Sequence, residues 1–156
     1  MAKVEKDYEE LLGLLNKHNV KYCVVGAFAV AFYAVPRYTK DLDILIEPTI
    51  ANAENIIKAL KKFGFGSLKL SSKDFVKKGT IIQLGYEPVR IDLLTAIEGV
   101  SFDKVWKNKK KGFYGHEEVH FIGLDDLIKN KQALKQDKDK MDLGVLLKAK
   151  NIDNRK

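Results

Sequence analysis

Cysteine is almost missing from this chain. Cys23 stands alone, so no disulfide can form within it. It sits in the apolar run Tyr22-Cys23-Val24-Val25, where a small buried hydrophobe is expected rather than a reactive thiol. Long apolar runs are missing too. None reaches the length needed to span a bilayer. The N-terminus, Met-Ala-Lys-Val-Glu-Lys-Asp, has charges of both signs and no apolar signal core. A cytoplasmic protein with no membrane partner is expected. Histidine is scarce and scattered at His18, His116 and His120. The last two are four apart in a stretch that reads as strand, so a shared metal there is not expected. No Ser-His-Asp or Cys-His spacing occurs, and neither a P-loop nor a dinucleotide fingerprint is present. There is no internal repeat and no linker.

What is present fits one compact unit. The 156 residues are 46% hydrophobic, enough for a core without staples. Residues 1–150 are expected to form a single domain, with 151–156 a loose tail. Basic residues outnumber acidic ones by 28 to 21, a net +7, and such a surface favours anionic partners such as nucleotides or RNA.

Periodicity predicts the elements. Residues 4–19 read as an amphipathic helix with Leu11, Leu12, Leu14 and Leu15 on its apolar face and Asn19 ending it. Val20–Val25 is a buried strand, and Gly26 leads into a short helix over Ala27–Ala34 that Pro36 stops. Thr39–Glu47 is the second strand, closed by Pro48, and Thr49–Phe63 a helix with Ile56, Ile57, Leu60 and Phe63 at helical spacing. Thr80–Leu84 and Val89–Leu94 flank the turn-like Gly85-Tyr86-Glu87-Pro88 and read as a hairpin. Residues 104–112 are lysine-rich and read as an exposed stretch. Val119–Ile122 is a last strand, and two helices follow, from Leu124 and over Asp137–Lys148. The order α-β-α-β-α-ββ-β-αα predicts an α/β (α+β) fold: a mixed β-sheet flanked by helices, with C-terminal helices.

Aspartate is depleted in strands, which makes Asp41-Leu42-Asp43-Ile44-Leu45-Ile46 informative. Alternate side chains share a face, so Asp41 and Asp43 point one way and Leu42, Ile44 and Ile46 the other. Two carboxylates about 7 Å apart along a strand repel, and something positive should lie between them. In Val89-Arg90-Ile91-Asp92-Leu93-Leu94, Arg90 and Asp92 share the face opposite Ile91 and Leu93. If the two strands are neighbours, Asp92 joins the pair. Three hard oxygen ligands suit Mg²⁺ or Mn²⁺, and Asp92 could double as the base that takes a proton from an attacking hydroxyl. Exposed faces of two amphipathic strands would give the same pattern.

Gly26 stands where a strand gives way to a helix. A phosphate can approach the backbone there, favoured by the helix N-terminus; a plain tight turn also needs such a glycine. Arg37 could pair with a triphosphate or with the carboxylates, and Thr39 could donate a hydrogen bond. In Lys104–Lys111, Trp106 lies amid five lysines with Phe113 and Tyr114 after it. This interleaving suits single-stranded RNA as well as a solvated loop.

Together, Val24-Val25-Gly26-Ala27, then Arg37-x-Thr39-x-Asp41-x-Asp43, then Asp92 on a later strand, resemble the nucleotidyltransferase superfamily related to DNA polymerase beta. The small prokaryotic branch that includes the AbiEii-type toxins is the nearest in pattern. The resemblance runs from about Val20 to Asp142. It implies a mixed sheet flanked by helices and transfer of a nucleoside monophosphate from a nucleoside triphosphate to a hydroxyl or phosphate, with release of pyrophosphate. By position it implies metal ligation by Asp41, Asp43 and Asp92, with Asp92 also the base, and a triphosphate at Gly26 and Ala27. The late segment Asp125-Asp126-Leu127-Ile128-x-Asn130-Lys131, then Lys138-Asp139-x-x-Asp142, resembles this branch as well. It implies phosphate contacts from Lys131 and Lys138, with Asp142 orienting one of them; a solvated helix face would read alike. The acceptor stays open among RNA, protein and small molecule, and an antitoxin-type protein partner is implied. Family members usually carry Gly-Gly or Gly-Ser where this chain has Gly26-Ala27. Alanine keeps the backbone N–H and loses the hydroxyl, which leaves a non-catalytic nucleotide-binding or RNA-binding module as the alternative.

Overall fold

The computed structural model describes residues 4–34, 41–66, 68–86 and 88–154. Its elements in chain order are α1 Lys6–Lys17, β1 Tyr22–Val25, α2 Gly26–Tyr33, β2 Asp41–Ile46, α3 Ile50–Leu60, β3 Ile81–Tyr86, β4 Val89–Leu94, α4 Phe102–Asn108, β5 Lys110–Tyr114, β6 Glu117–Phe121, α5 Leu124–Ala133 and α6 Asp137–Asn154. The strands form one six-stranded sheet in the order β3-β4-β2-β1-β6-β5. It is mixed: β1 runs antiparallel to β2 and parallel to β6, β2 is parallel to β4, and the outer hairpins β3–β4 and β5–β6 are antiparallel. The predicted mixed sheet with C-terminal helices is what forms.

The central strands carry the apolar runs because helices cover them. Tyr22, Cys23, Val24 and Val25 are all buried, as are Leu42, Ile44, Leu45 and Ile46. Burial also accounts for Cys23: its thiol is pushed up to about 12 by desolvation, which makes it an inert hydrophobe. Helix α1 buries Leu11, Leu12 and Leu15, and α3 buries Ala53, Ile56, Ala59 and Leu60. Thr49 caps α3 by accepting from the Asn52 N–H at 3.2 Å, a contribution of about 1 kcal/mol. The buried Asn52 side chain accepts from Lys21 N at 2.8 Å and donates to the carbonyls of Lys21 and Glu47. It thereby ties the start of β1 to the end of β2.

Two sequence expectations are corrected. The lysine-rich stretch is exposed at Lys104, Lys107, Lys110 and Lys111, as expected, but it is not a loop. Ser101 caps α4, which buries Val105, and the chain returns as strand β5. Trp106 packs against Phe102 and His120, with the Lys109 ammonium 3.9 Å from its ring centroid. Its ring is therefore engaged within the fold rather than presented as a stacking platform. The second correction concerns the described part of the tail, 151–154: α6 continues to Asn154, since no proline or glycine follows Gly144, and Lys150 just before it pairs with Asp125 at 2.9 Å; 155–156 lie outside the described residues. Between α3 and β3 lies a 3₁₀ turn, Ser72–Phe75, stapled by a capping box between Ser71 and Asp74 and by the buried Phe75 ring. Among the described residues no helix is long and apolar enough to cross a membrane.

Candidate active site

The register of β2 on β4 decides what the aspartates can do. Asp43 lies opposite Asp92, and Asp41 lies opposite Arg90. Strand neighbours are about 4.8 Å apart, so three carboxylates and one guanidinium share a small area of one face. Arg90 donates from Nε to Asp92 Oδ1 at 3.1 Å and from Nη2 to Asp92 Oδ2 at 3.0 Å. Its Nη1 stands 3.8 Å from Asp41 Oδ2. The positive group that the carboxylates require is thus Arg90 itself. It was legible in the alternation Arg90-x-Asp92 but is absent from the residues that the sequence reading assigned to the site.

The cation does not satisfy the whole cluster. Asp41 Oδ1 is buried with no hydrogen-bond partner. The Asp43 carboxyl is pushed up to about 6, first by burial and then by the charges of Asp92 and Asp41, with Lys131 and Arg90 acting the other way. A buried, unpaired carboxylate beside two others is costly, and a hard divalent cation is what such a set binds well. As the side chains stand, no three Asp, Glu, His or Cys groups among the described residues converge as a metal cage. Asp41 and Asp43 suit the ion, whereas both oxygens of Asp92 are engaged by Arg90.

Gly26 ends β1 at the level of Asp43, since Val25 is the Asp43 partner across the sheet. Its φ is +67°, and a Cβ there would run into the Asp43 carboxylate. Two independent constraints therefore demand glycine. Helix α2 begins at this residue, and its N-cap, Val25, offers no side-chain acceptor. The first N–H groups of α2 are left for an outside anion.

Val25, Gly26, Ala27, Asp41 and Asp43 line one side of a cleft of about 600 Å³. Across it stand Asn130 and Lys131 of α5 and Lys138, Asp139 and Asp142 of α6, with an apolar wall from Ile81, Leu94, Ile97 and Leu134. Lys131, only 7% exposed, donates to Asp139 Oδ1 at 3.2 Å and lies 3.2 Å from Asp142 Oδ2. The structure thus gathers Gly26, Ala27, Asp41, Asp43, Lys131 and Lys138 around one cavity. It places Asp92 beside them on β4, and Arg37 and Thr39 lie outside the described residues. Sequence reasoning did not assign Asp139, the second acid on Lys131; its i,i+3 spacing from Asp142 on a helix was the available signal.

A family model described as a nucleotidyl transferase of unknown function (DUF2204) matches residues 4–154. No curated protein sequence matches the chain. Solved structures share the fold, among them the following two. The lincomycin-bound lincosamide antibiotic adenylyltransferase LnuA is 14% identical, with a TM-score of 0.54 over 91% of this chain and 95% of its own. TM1012 of Thermotoga maritima, provisionally a nucleotidyltransferase, is 17% identical, with a TM-score of 0.57 over 97% of this chain and 94% of its own.

Proposed function

Because the chain belongs to the nucleotidyl transferase family whose model spans it, we propose that it transfers a nucleoside monophosphate from a nucleoside triphosphate to a hydroxyl acceptor in the Asp41–Asp43 cleft, with Mg²⁺ or Mn²⁺. One observation carries this reading: an uncapped helix N-terminus, fit for an anion, adjoins a set of under-neutralised carboxylates, fit for a cation. A triphosphate with a divalent ion supplies both at once.

In this mechanism the N–H groups at Gly26 and Ala27 receive the triphosphate oxygens. Lys131 and Lys138 face the same cleft from the other side. Lys131 is held by two carboxylates, so its ammonium is fixed in place before a phosphate arrives, which favours positioning over flexible capture. Asp41 and Asp43 would hold the divalent ion, with Asp92 completing the set. When bound, the ion neutralises charge on the phosphates and on the leaving pyrophosphate. The acceptor oxygen forms a bond to the α-phosphorus, the bond from that phosphorus to the β-bridging oxygen breaks, and pyrophosphate leaves. The acceptor proton passes to Asp92, which can take it only when Arg90 lets go of a carboxylate oxygen. Arg37 and Thr39, just ahead of β2 in sequence, remain candidates for phosphate contact.

The apolar wall of Ile81, Leu94, Ile97 and Leu134 suits the flat face of a base or an apolar part of the acceptor. Since LnuA is an adenylyltransferase of a lincosamide, a small-molecule hydroxyl belongs in the acceptor screen beside RNA ends and protein hydroxyls. The AbiEii-type branch with an antitoxin-type partner rests on the sequence resemblance alone, from Val24-Val25-Gly26-Ala27 through Asp92 to the Asp125 to Asp142 segment. Ala27, which lacks the serine hydroxyl, favours the second reading, a module that binds nucleotide without turnover.

Calorimetry with each nucleoside triphosphate and Mg²⁺ tests the proposal. Metal-dependent binding should be lost in the Asp41→Asn/Asp43→Asn protein, and Asp43→Asn or Asp92→Asn should lower transfer by a factor of about 10³ or more. Undiminished transfer in either single variant would overturn it. Binding without turnover across the acceptor screen would select the second reading.

A further inference from the structure

Arg90 holds the carboxylate cluster through three separate contacts, two to Asp92 and one to Asp41. Its main chain is pinned from α1: the Tyr8 hydroxyl donates to the Arg90 carbonyl at 3.0 Å and accepts from its N–H at 3.2 Å. Its side chain is 31% exposed, so the guanidinium can swing toward solvent while β4 stays in register. A divalent cation that uses Asp92 must approach the oxygens that Arg90 covers, and two full positive charges at one carboxylate repel. The neighbouring carboxylates leave the area net negative even with Arg90 in place, which draws a further cation in.

We propose that Arg90 is an internal competitor for the divalent ion. Ion and guanidinium exchange at Asp92, so that the ease of Arg90 departure sets the affinity of the cleft for metal alone. A bound triphosphate offers the released guanidinium a bidentate anionic partner. Metal and triphosphate therefore strengthen one another through Arg90, and by linkage each does so to the same extent. The inference rests on the metal-dependent reading above and adds to the departure of Arg90, which that reading already needs at Asp92, control over metal affinity.

The measurement is Mn²⁺ affinity, by calorimetry or by electron paramagnetic resonance of the free ion, with and without ATP. The proteins are wild type, Arg90→Met, Arg90→Lys and Lys138→Met. Loss of the bidentate charge-assisted pair should tighten Mn²⁺ alone by about tenfold or more in Arg90→Met, with Arg90→Lys in between. The gain in Mn²⁺ affinity that ATP gives the wild type should shrink in Arg90→Met. Lys138→Met removes a cation from the same cleft without touching Asp92, and it should tighten Mn²⁺ far less. Equal tightening in the two methionine variants would reduce the effect to net charge and overturn the proposal. Unchanged or weaker Mn²⁺ binding in Arg90→Met would make Arg90 a fixed organiser of the ligands and also overturn it. Should Arg90→Met fail to fold, Arg90→Lys decides by the same sign. If no protein of the set binds Mn²⁺, with or without ATP, the metal reading itself fails and this inference falls with it.

Discussion

Two acidic clusters face one cleft, each with an embedded cation, and they are built to opposite ends. On the helices, Lys131 meets Asp139 and Asp142 at 3.2 Å each, and all three side chains are at most 8% exposed. On the strands, Arg90 secures Asp92, reaches Asp41 only at 3.8 Å, and leaves Asp43 with a carboxyl pushed up to about 6. The helical cluster is buried and its cation reaches both acids at the same short distance, so it braces α5 against α6. The strand cluster is under-neutralised, so its charge is held ready for something that is not part of the chain. Proteins keep such unfavourable groups where function needs them.

The comparison breaks first at Lys131. Its removal leaves two carboxylates buried without their cation, and Lys131→Met should cost about 3–5 kcal/mol of unfolding free energy. Urea denaturation measures this directly. A variant that lost transfer at full stability would recast Lys131 as a ligand-binding group with no bracing role.

Asp43 should behave in the reverse sense. A folded-state pKa above the unfolded value means that the native protein binds the proton more tightly. The stability from this group is therefore complete below pH 4 and is lost as pH rises through about 6. Asp43→Asn removes the penalty. At pH 7.5 and without divalent ions it should stabilise the protein by about 3 kcal/mol while abolishing transfer. The gain should vanish below pH 4 in thermal melts across pH. A destabilised Asp43→Asn at neutral pH would mean that the carboxylate is already satisfied in the fold.

Both clusters were only half legible in the sequence. The strand period of two placed Asp41 with Asp43 and Arg90 with Asp92 on shared faces, because that alternation is local. Nothing local encodes the parallel register that sets Asp43 against Asp92, nor the parallel addition of β6 beside β1, which brings α5 to the cleft; these are long-range pairings. Helix α4 was readable in principle from Ser101, Phe102, Val105 and Trp106, but its lysines made the segment look like loop. Strand β5 is an outer strand whose Lys110, Lys111 and Phe113 stay exposed, so it carries little hydrophobic alternation. For Lys131 and Asp142 the sequence left two readings, a phosphate contact with an orienting acid and a solvated helix face, and lysine frequency alone cannot tell a braced lysine from a free one.

Lys138 sharpens that last distinction with the smallest effect. It lines the same cleft as Lys131, yet no side-chain hydrogen bond or ion pair within the described residues engages it. A solvated lysine contributes little to folding, so Lys138→Met should change stability by no more than about 0.5 kcal/mol. If it meets phosphate, the same variant should raise KM for the nucleoside triphosphate several-fold at nearly constant kcat, the mark of an interaction made equally in ground and transition states. A steeper dependence of KM on salt in the wild type than in the variant would attribute the difference to charge. Unchanged KM with unchanged stability would place Lys138 outside the phosphate path and leave the braced Lys131 as the cation that meets phosphate from the helical side.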